Sequence, residues 1–268
     1  MTIQALYSAA TGMIGMETKL DVVANNLANM STTAFKRDRA NFEDLIYHHE
    51  QFPGMQDSAG QYTPTGTQVG MGVRVQSTQT EFSEGTLSQT GQELDVAIEG
   101  QGFLQVTNPD GMIVYTRAGN FSKNANGNLV VGSANDGRLL EPPIVIPPDA
   151  QAISISPEGV VSVMQQGSNQ MSQVGQIQMA SFVNPQGLLK LGQNLYRETD
   201  ASGAPTVSNP GQNGLGTLQQ GMLESSNVEP VQELIDMITT QRAFELNSQS
   251  VKAADELLQT VVNLPRAT

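Results

Sequence analysis

Two proline-free, heptad-patterned stretches stand at opposite ends of this chain, and they constrain its fold more than any other feature. Between Ile3 and Leu27 the residues Leu6, Met13, Leu20 and Leu27 recur every seven positions, with Ile3, Ala10 and Ala24 on a second row that Glu17 interrupts. That spacing predicts an amphipathic helix with a seam for a partner helix, with Thr2 as N-cap and Asn29 as the stop. After Pro230 the chain runs to Leu264 without another proline or glycine, and Met237, Phe244, Val251 and Leu258 again recur at seven. Ala254 and Val261 lie on the adjoining row, which Thr240 and Asn247 make partly polar. Ser226 and Glu229 have the spacing of a capping box, with Pro230 in the first turn, where its missing N–H costs nothing. Glu229, Glu233 and Asp236 come early and Arg266 comes late, which suits the helix dipole. Two or three heptads are marginal for an isolated helix pair, so burial of these faces among many copies is the better solution.

The middle of the chain reads as β. Apolar alternation marks Val73-Arg74-Val75, Leu94–Ile98, Ile113-Val114-Tyr115, Ile153-Ser154-Ile155 and Val160–Val163. Asp110-Gly111, Asn126-Gly127, Asp136-Gly137, Glu158-Gly159 and Gln186-Gly187 are turn signals. Short strands at this spacing predict an antiparallel, hairpin-rich domain rather than βαβ units. The stretch from Gln51 to Gly72 is rich in Gly, Pro, Gln and Thr and reads as an extended arm. The expected class is therefore α+β: long N- and C-terminal helices pairing as a coiled-coil-like terminal domain, with a central antiparallel β domain. The expected boundaries are 1–45 and 226–268 for the helical domain, 46–72 for the arm and 73–225 for the β domain.

Charge and chemistry narrow the function. The chain of 268 residues carries a net charge of −13 and has neither cysteine nor tryptophan. So acidic a chain does not hold phosphate backbones by bulk electrostatics, which argues against nucleic acid as a partner. Without cysteine there is no disulfide framework, thiolate zinc site or thiol nucleophile. The middle carries fifteen acids against six bases, whereas the stretches before Ile46 and after Asn227 are closer to balance. Balanced ends are the least self-repelling part, as packing in many copies would need. His48 and His49 are adjacent, so they make a poor metal pair. The alternating Asn124, Asn126 and Asn128 fit an Asn-Gly hairpin turn better than a calcium loop. No nucleophile elbow, metalloprotease or phosphate-loop motif occurs. No catalytic, cofactor or metal site is expected, and no cofactor. The N-terminus has no basic n-region before a continuous apolar run, so a cleaved signal peptide is not expected, and no stretch is apolar enough to insert in a membrane.

Longer motifs remain. Ala24-Asn25-Asn26-Leu27-Ala28-Asn29, followed by Ser31-Thr32-Thr33-Ala34-Phe35-Lys36-Arg37, closely resembles the N-terminal signature of the flagellar rod and hook protein family. That family usually carries Gly where Ala34 stands, so a differently shaped turn is expected here. Glu224-Ser225-Ser226-Asn227-Val228 and the run from Glu233 through Gln241-Arg242 to Glu245 resemble its C-terminal motif, with Phe244 where Tyr is frequent. Asp95–Val106 and Tyr115–Phe121 extend the resemblance over nearly the whole chain, and the modest β domain is most similar to the distal-rod members.

The resemblance implies a non-enzymatic subunit of the bacterial flagellar basal body. Such a subunit passes through the flagellar export apparatus without a cleavable signal and polymerises in the periplasm into the hollow distal rod, a helical drive shaft around the export channel. Its implied partners are copies of itself, the proximal rod proteins, the hook protein and the surrounding rings, with the terminal helices innermost. Independently of the resemblance, the Gln51–Gly72 arm is expected to brace neighbouring subunits. Leu6, Met13, Leu20, Leu27, Met237, Phe244, Val251 and Leu258 are the expected interface residues. Asn25, Asn26, Leu27, Asn29, Phe35, Lys36, Ser226, Asn227, Gln241 and Arg242 carry the family motif. A hook or proximal-rod subunit is the alternative within the family; an exported adhesin-like binding domain and then a peptidoglycan hydrolase follow from other classes.

Overall fold

A computed structural model describes residues 2–56, 60–62, 64–132, 137–167 and 170–263. It is α+β, with a helix at each end and an antiparallel β-rich middle. The chain divides into two compact units. A helical unit comprises Met1–Ala28, Asp38–Thr80 and Glu229–Thr268, and a β unit comprises Asn29–Arg37 and Glu81–Val228.

In the helical unit, α1 (Thr2–Ala28) packs against α2 (Pro230–Asn263). A methyl group on Gly12 would lie 3.1 Å from Asn247 Nδ2, while Asn26 Nδ2 donates to Glu233 Oε2 at 3.3 Å. These two pairs run in opposite senses, so the helices are antiparallel. Strands β1 (Asp38–Asp44), β2 (Tyr47–Gln51), β3 (Thr67–Gly70) and β4 (Val73–Thr80) form a ribbon: β1 pairs with β4 and β2 with β3. Small residues on α1 let this ribbon approach. A side chain at Gly15 would meet the ring of Phe42, and Gly72, in a left-handed conformation at φ +109°, lies under Thr11. Arg74 and Glu43 form an ion pair across the ribbon.

Two expectations change here. The sequence places Val73–Thr80 in the β domain and the stretch before it in an arm; by packing, the whole ribbon belongs with the helices. Its first strand lacks apolar alternation, and all five residues of its second are exposed, so only pairing reveals them. The capping box does not form. Helix α2 starts at Pro230, and the Ser226 hydroxyl accepts the Val228 N–H at 3.3 Å, a local turn that ends before the helix. The turn expected at Asp136 and the basic helix end at Arg266 lie outside the described residues, as do the side chains of Ile3 and Val261.

The β unit is built on a nine-stranded sheet in which Phe103–Thr107 is central, pairing with Ile113–Thr116, Gly137–Leu140 and Met179–Ser181. A three-stranded sheet, Ala150–Ile155, Val160–Gln165 and Met171–Gln176, and the pair Val96–Glu99 with Thr217–Gln220 complete the main apolar core. A second cluster is aromatic: Phe103, Tyr115, Phe182 and Tyr196 meet edge to face, with Phe82 against them. Burial, and then the charge of Glu198 that accepts its hydroxyl, raises the Tyr115 pKa to about 12.

Most turn signals behave as read. Gly111, Gly127 and Gly159 take positive φ between paired strands, and Asn124 Oδ1 accepts the N–H groups of Asn126 and Asn128. Gln186-Gly187 differs: it lies in a short 3₁₀ turn, Pro185–Gly187. Gly119 is the tightest glycine, because a methyl there would run into the carbonyl of Val96. Gly119→Ala is expected to force the Val96 strand aside and cost the β unit about 1–3 kcal/mol. Urea unfolding followed by tyrosine fluorescence checks this, and an unchanged midpoint would refute the clash.

Candidate functional site

The helix positions that carry the heptads are intermediate in exposure. Leu6, Met13, Leu20 and Leu27 on α1 are half-buried, as are Met237, Val251 and Leu258 on α2, and Phe244 is 36% exposed. The innermost residues of α2 are polar: Glu233 and Thr240 are 5% and 2% exposed. A further apolar row, passed over by the heptad reading, lies elsewhere on the same helix. Val231, Leu234, Ile235, Ile238, Leu246 and Leu257 are all exposed, with Ile235 and Ile238 each at 49%. At roughly 100° per residue these six fall on the side of α2 opposite Glu233 and Thr240. On α1, Tyr7 and Ile14, seven residues apart, are likewise exposed. The helical unit thus presents apolar side chains that are exposed among the described residues, alongside exposed Gln241 and Arg242.

The motif residues divide between two clusters. In the helical unit Asn25 is exposed, whereas Asn26 is buried and ties α1 to β1. Its Oδ1 accepts the Asp38 N–H and its Nδ2 donates to the Asp38 carbonyl, both at 2.9 Å. An amide supplies a donor and an acceptor together, which explains the residue type at this position.

In the β unit the remaining motif residues surround a buried charge cluster. The Asn29 carbonyl accepts the Thr32 N–H in the turn that begins the segment. Ala34 takes φ +55°, the left-handed conformation that glycine prefers, and its N–H donates to the Glu224 carbonyl at 2.8 Å. An alanine in this conformation costs about 1–2 kcal/mol, and the turn keeps the shape glycine favours rather than the different one expected from the sequence. The Lys190 ammonium stands 5.4 Å over the ring of Phe35. Asn227 Oδ1 accepts the Arg37 N–H at 2.8 Å, and its Nδ2 donates to the Glu81 carbonyl at 2.9 Å.

At the centre, the side chains of Lys36 and Glu224 are both 0% exposed and joined at 2.6 Å. Lys36 Nζ also donates to the Ser83 carbonyl at 2.5 Å. Arg117 Nε donates to the other carboxylate oxygen at 2.9 Å, and its remaining nitrogens reach the Gly100 and Gly102 carbonyls at 3.0 Å. The Gly85 N–H completes the shell around Glu224 at 3.0 Å. Burial alone would raise the Glu224 pKa, but the charges and hydrogen bonds of Arg117 and Lys36 outweigh it and hold the carboxyl below its ordinary range. Burial pushes the Lys36 ammonium below its usual value; Glu224 opposes this and Arg117 reinforces it, because two cations share one carboxylate.

The sequence marks Lys36 as a motif residue; it does not distinguish Arg117 and Glu224 from their neighbours, although both lie inside stretches that carry the family resemblance. Three charges so far apart in sequence give no periodic signal. The three side chains are at most 2% exposed and engage one another, which suits a structural role.

Comparison with known proteins agrees with this geometry. Residues 6–36 match the model of the flagella basal body rod protein family, residues 97–163 that of the flagellar hook protein FlgE/F/G D1 domain, and residues 219–264 that of the flagellar basal body rod FlgEFG protein C-terminal family. The chain is 45% identical to the flagellar basal-body rod protein FlgG of Caulobacter vibrioides, over 98% of this chain and 99% of that protein. It is 40% identical to FlgG of Bacillus subtilis, over 98% and 100%. Against the basal-body rod protein FlgF of Caulobacter vibrioides the identity is 32%, over 96% of each. With matches at both ends and in the middle, and with higher identity to FlgG than to FlgF in the same organism, the chain belongs to the flagellar basal-body rod protein family, among its distal-rod members.

Proposed function

We propose that this chain, a non-enzymatic structural subunit of the flagellar basal-body distal rod, polymerises with its own copies into a hollow helical tube that transmits torque and encloses the export channel. The observation that carries the reading is the apolar row on α2, Val231, Leu234, Ile235, Ile238, Leu246 and Leu257, which is exposed among the described residues. Burying one such side chain is worth about 1.5–3 kcal/mol, and a helical polymer buries it in every subunit at once. The half-buried heptad residues become fully enclosed in the same assembly, as coiled-coil-like seams between helices of neighbouring subunits. Exposed apolar residues on the ribbon, among them Tyr47, Phe52, Met55 and Tyr62, give it surface with which to brace adjacent copies.

Partners follow from position in such a rod: proximal rod proteins at one end, the hook protein at the other, and ring proteins around it. The subunit reaches the periplasm through the flagellar export apparatus. No helix among the described residues is long and apolar enough to cross a membrane. Electron microscopy of the concentrated, purified chain tests polymerisation directly. Straight hollow tubes are expected; particles that stay monomeric at high concentration, with the exposed row engaged by nothing, count against the reading.

A further inference from the structure

The buried charge cluster does more than stabilise the β unit. A buried ion pair or triad gains little over well-packed apolar groups of the same volume, so its presence calls for a role in which position matters. Its distinctive property is which pieces of chain it joins. Lys36 belongs to the segment Asn29–Arg37, which continues from α1; Glu224 begins the segment that continues into α2. These two segments are bonded directly to each other along their length. The Ala34 N–H donates to the Glu224 carbonyl (2.8 Å), Lys36 Nζ to the Glu224 carboxylate (2.6 Å), the Arg37 N–H to Asn227 Oδ1 (2.8 Å) and the Asn227 N–H to the Phe35 carbonyl (3.4 Å). Both are also anchored to one further stretch of the unit. Lys36 reaches Ser83, Asn227 reaches Glu81 and Ser83, and the Gly85 N–H reaches Glu224. Arg117, which directly follows the Ile113–Thr116 strand of the central sheet, holds the far side of the carboxylate.

We infer that the Lys36–Glu224–Arg117 cluster is a staple: it locks the two segments that lead to the terminal helices into a single connector, so that a load arriving along either one enters the central sheet through both. The part concerning load rests on the rod function proposed above; the stapling itself does not. Two separate segments would each peel from the β unit one hydrogen bond at a time. Cross-linked and pinned by Arg117, they yield only together, and the buried charges penalise any slip in register because a displaced Lys36 or Glu224 would be left unpaired.

The test uses the full-length chain. Lys36→Met removes the charged link between the segments, one of their four direct bonds, yet leaves Glu224 neutralised by Arg117, so no lone charge is buried. Native-state hydrogen exchange on the unpolymerised protein should show the amides of Ala34, Arg37, Ser225 and Asn227 exchanging roughly ten-fold faster, as a group, with the Phe103–Thr107 amides unchanged. Acceleration confined to one segment, no acceleration, or acceleration spread through the central sheet would each overturn the staple. Asn227→Ala cuts another bond between the same segments without touching a charge, and it should give the same grouped pattern more weakly should Lys36→Met fail to fold. The load step is read in cells that rely on the variant. Swimming should match the parent in dilute medium and fall at least several-fold behind it in viscous medium; equal swimming in both refutes load sharing. A failure of even the parent chain to form rods would instead count against the proposed function and leave the exchange result standing.

Discussion

Ile238→Asp should leave the chain folded and unable to polymerise. Ile238 is half exposed in the single chain, so the substitution removes little that the monomer uses, and helix content should be unchanged. In a polymer that covers the row, the same substitution exchanges about 1.5–3 kcal/mol of apolar burial for the cost of desolvating a carboxylate with no partner. A combined penalty of roughly 3 kcal/mol or more per contact raises the critical concentration on the order of 100-fold, beyond the reach of ordinary preparations. Ile235→Asp, on the same face, should behave alike. Val251→Asp and Leu20→Asp make the informative contrast. Both sites are half-buried in the monomer, so these variants should lose polymer and also part of their helical circular dichroism, while the β unit stays folded. If Ile238→Asp polymerises at the parent concentration while Val251→Asp does not, the heptad seam alone carries assembly and the outward row is incidental. If both polymerise, neither helix face is the interface.

That contrast also shows where sequence reading succeeds and where it stops. The two helices are legible because a proline-free heptad pattern is a local, periodic signal, and α1 begins and ends within a residue of the positions inferred for it. The hairpins of the β unit are legible because Asp-Gly, Asn-Gly and Glu-Gly pairs impose positive φ at the glycine between alternating runs. The outward row on α2 is written in the same helix, yet a seven-residue repeat directs attention to one side, and Val231, Leu234, Ile235 and Ile238 follow a spacing of three and four that competes with it. Once β1 and β4 are seen to pair, the arm becomes a ribbon. Nothing in Asp-Arg-Ala-Asn-Phe-Glu-Asp announces a strand, because its stability comes from partners 29 to 42 residues away. The charge cluster is the extreme case. Lys36, Arg117 and Glu224 are each unremarkable in their own neighbourhoods, and only the fold brings them within hydrogen-bonding distance.

Glu224→Leu should be the most damaging single substitution in the β unit. It leaves the Lys36 ammonium and the Arg117 guanidinium buried with no counter-charge, and removing one partner from a buried pair costs about 3–5 kcal/mol. Against a typical domain stability of about 5–15 kcal/mol, that takes the unit to the edge of unfolding at ambient temperature. Urea titration followed by the fluorescence of tyrosines such as Tyr115 and Tyr196 measures it, there being no tryptophan to obscure the signal. A loss below about 1 kcal/mol would mean the cluster is solvated in solution. Acid provides a second readout. Because the folded carboxyl titrates below its ordinary value of 4.5, the stability it supplies is fully present above that value and is lost as the pH falls through the lower, folded pKa. The parent β unit should therefore weaken steeply on acidification below about 4.5, more steeply than Glu224→Gln, which has no proton to gain there. The remaining cations define the last arm of the experiment. Adding Lys36→Met to Glu224→Leu leaves one buried charge instead of two, and Arg117 still donates to the Gly100 and Gly102 carbonyls. The double variant should therefore recover part of the stability that Glu224→Leu alone loses, a non-additivity that separate, independent contacts would not produce.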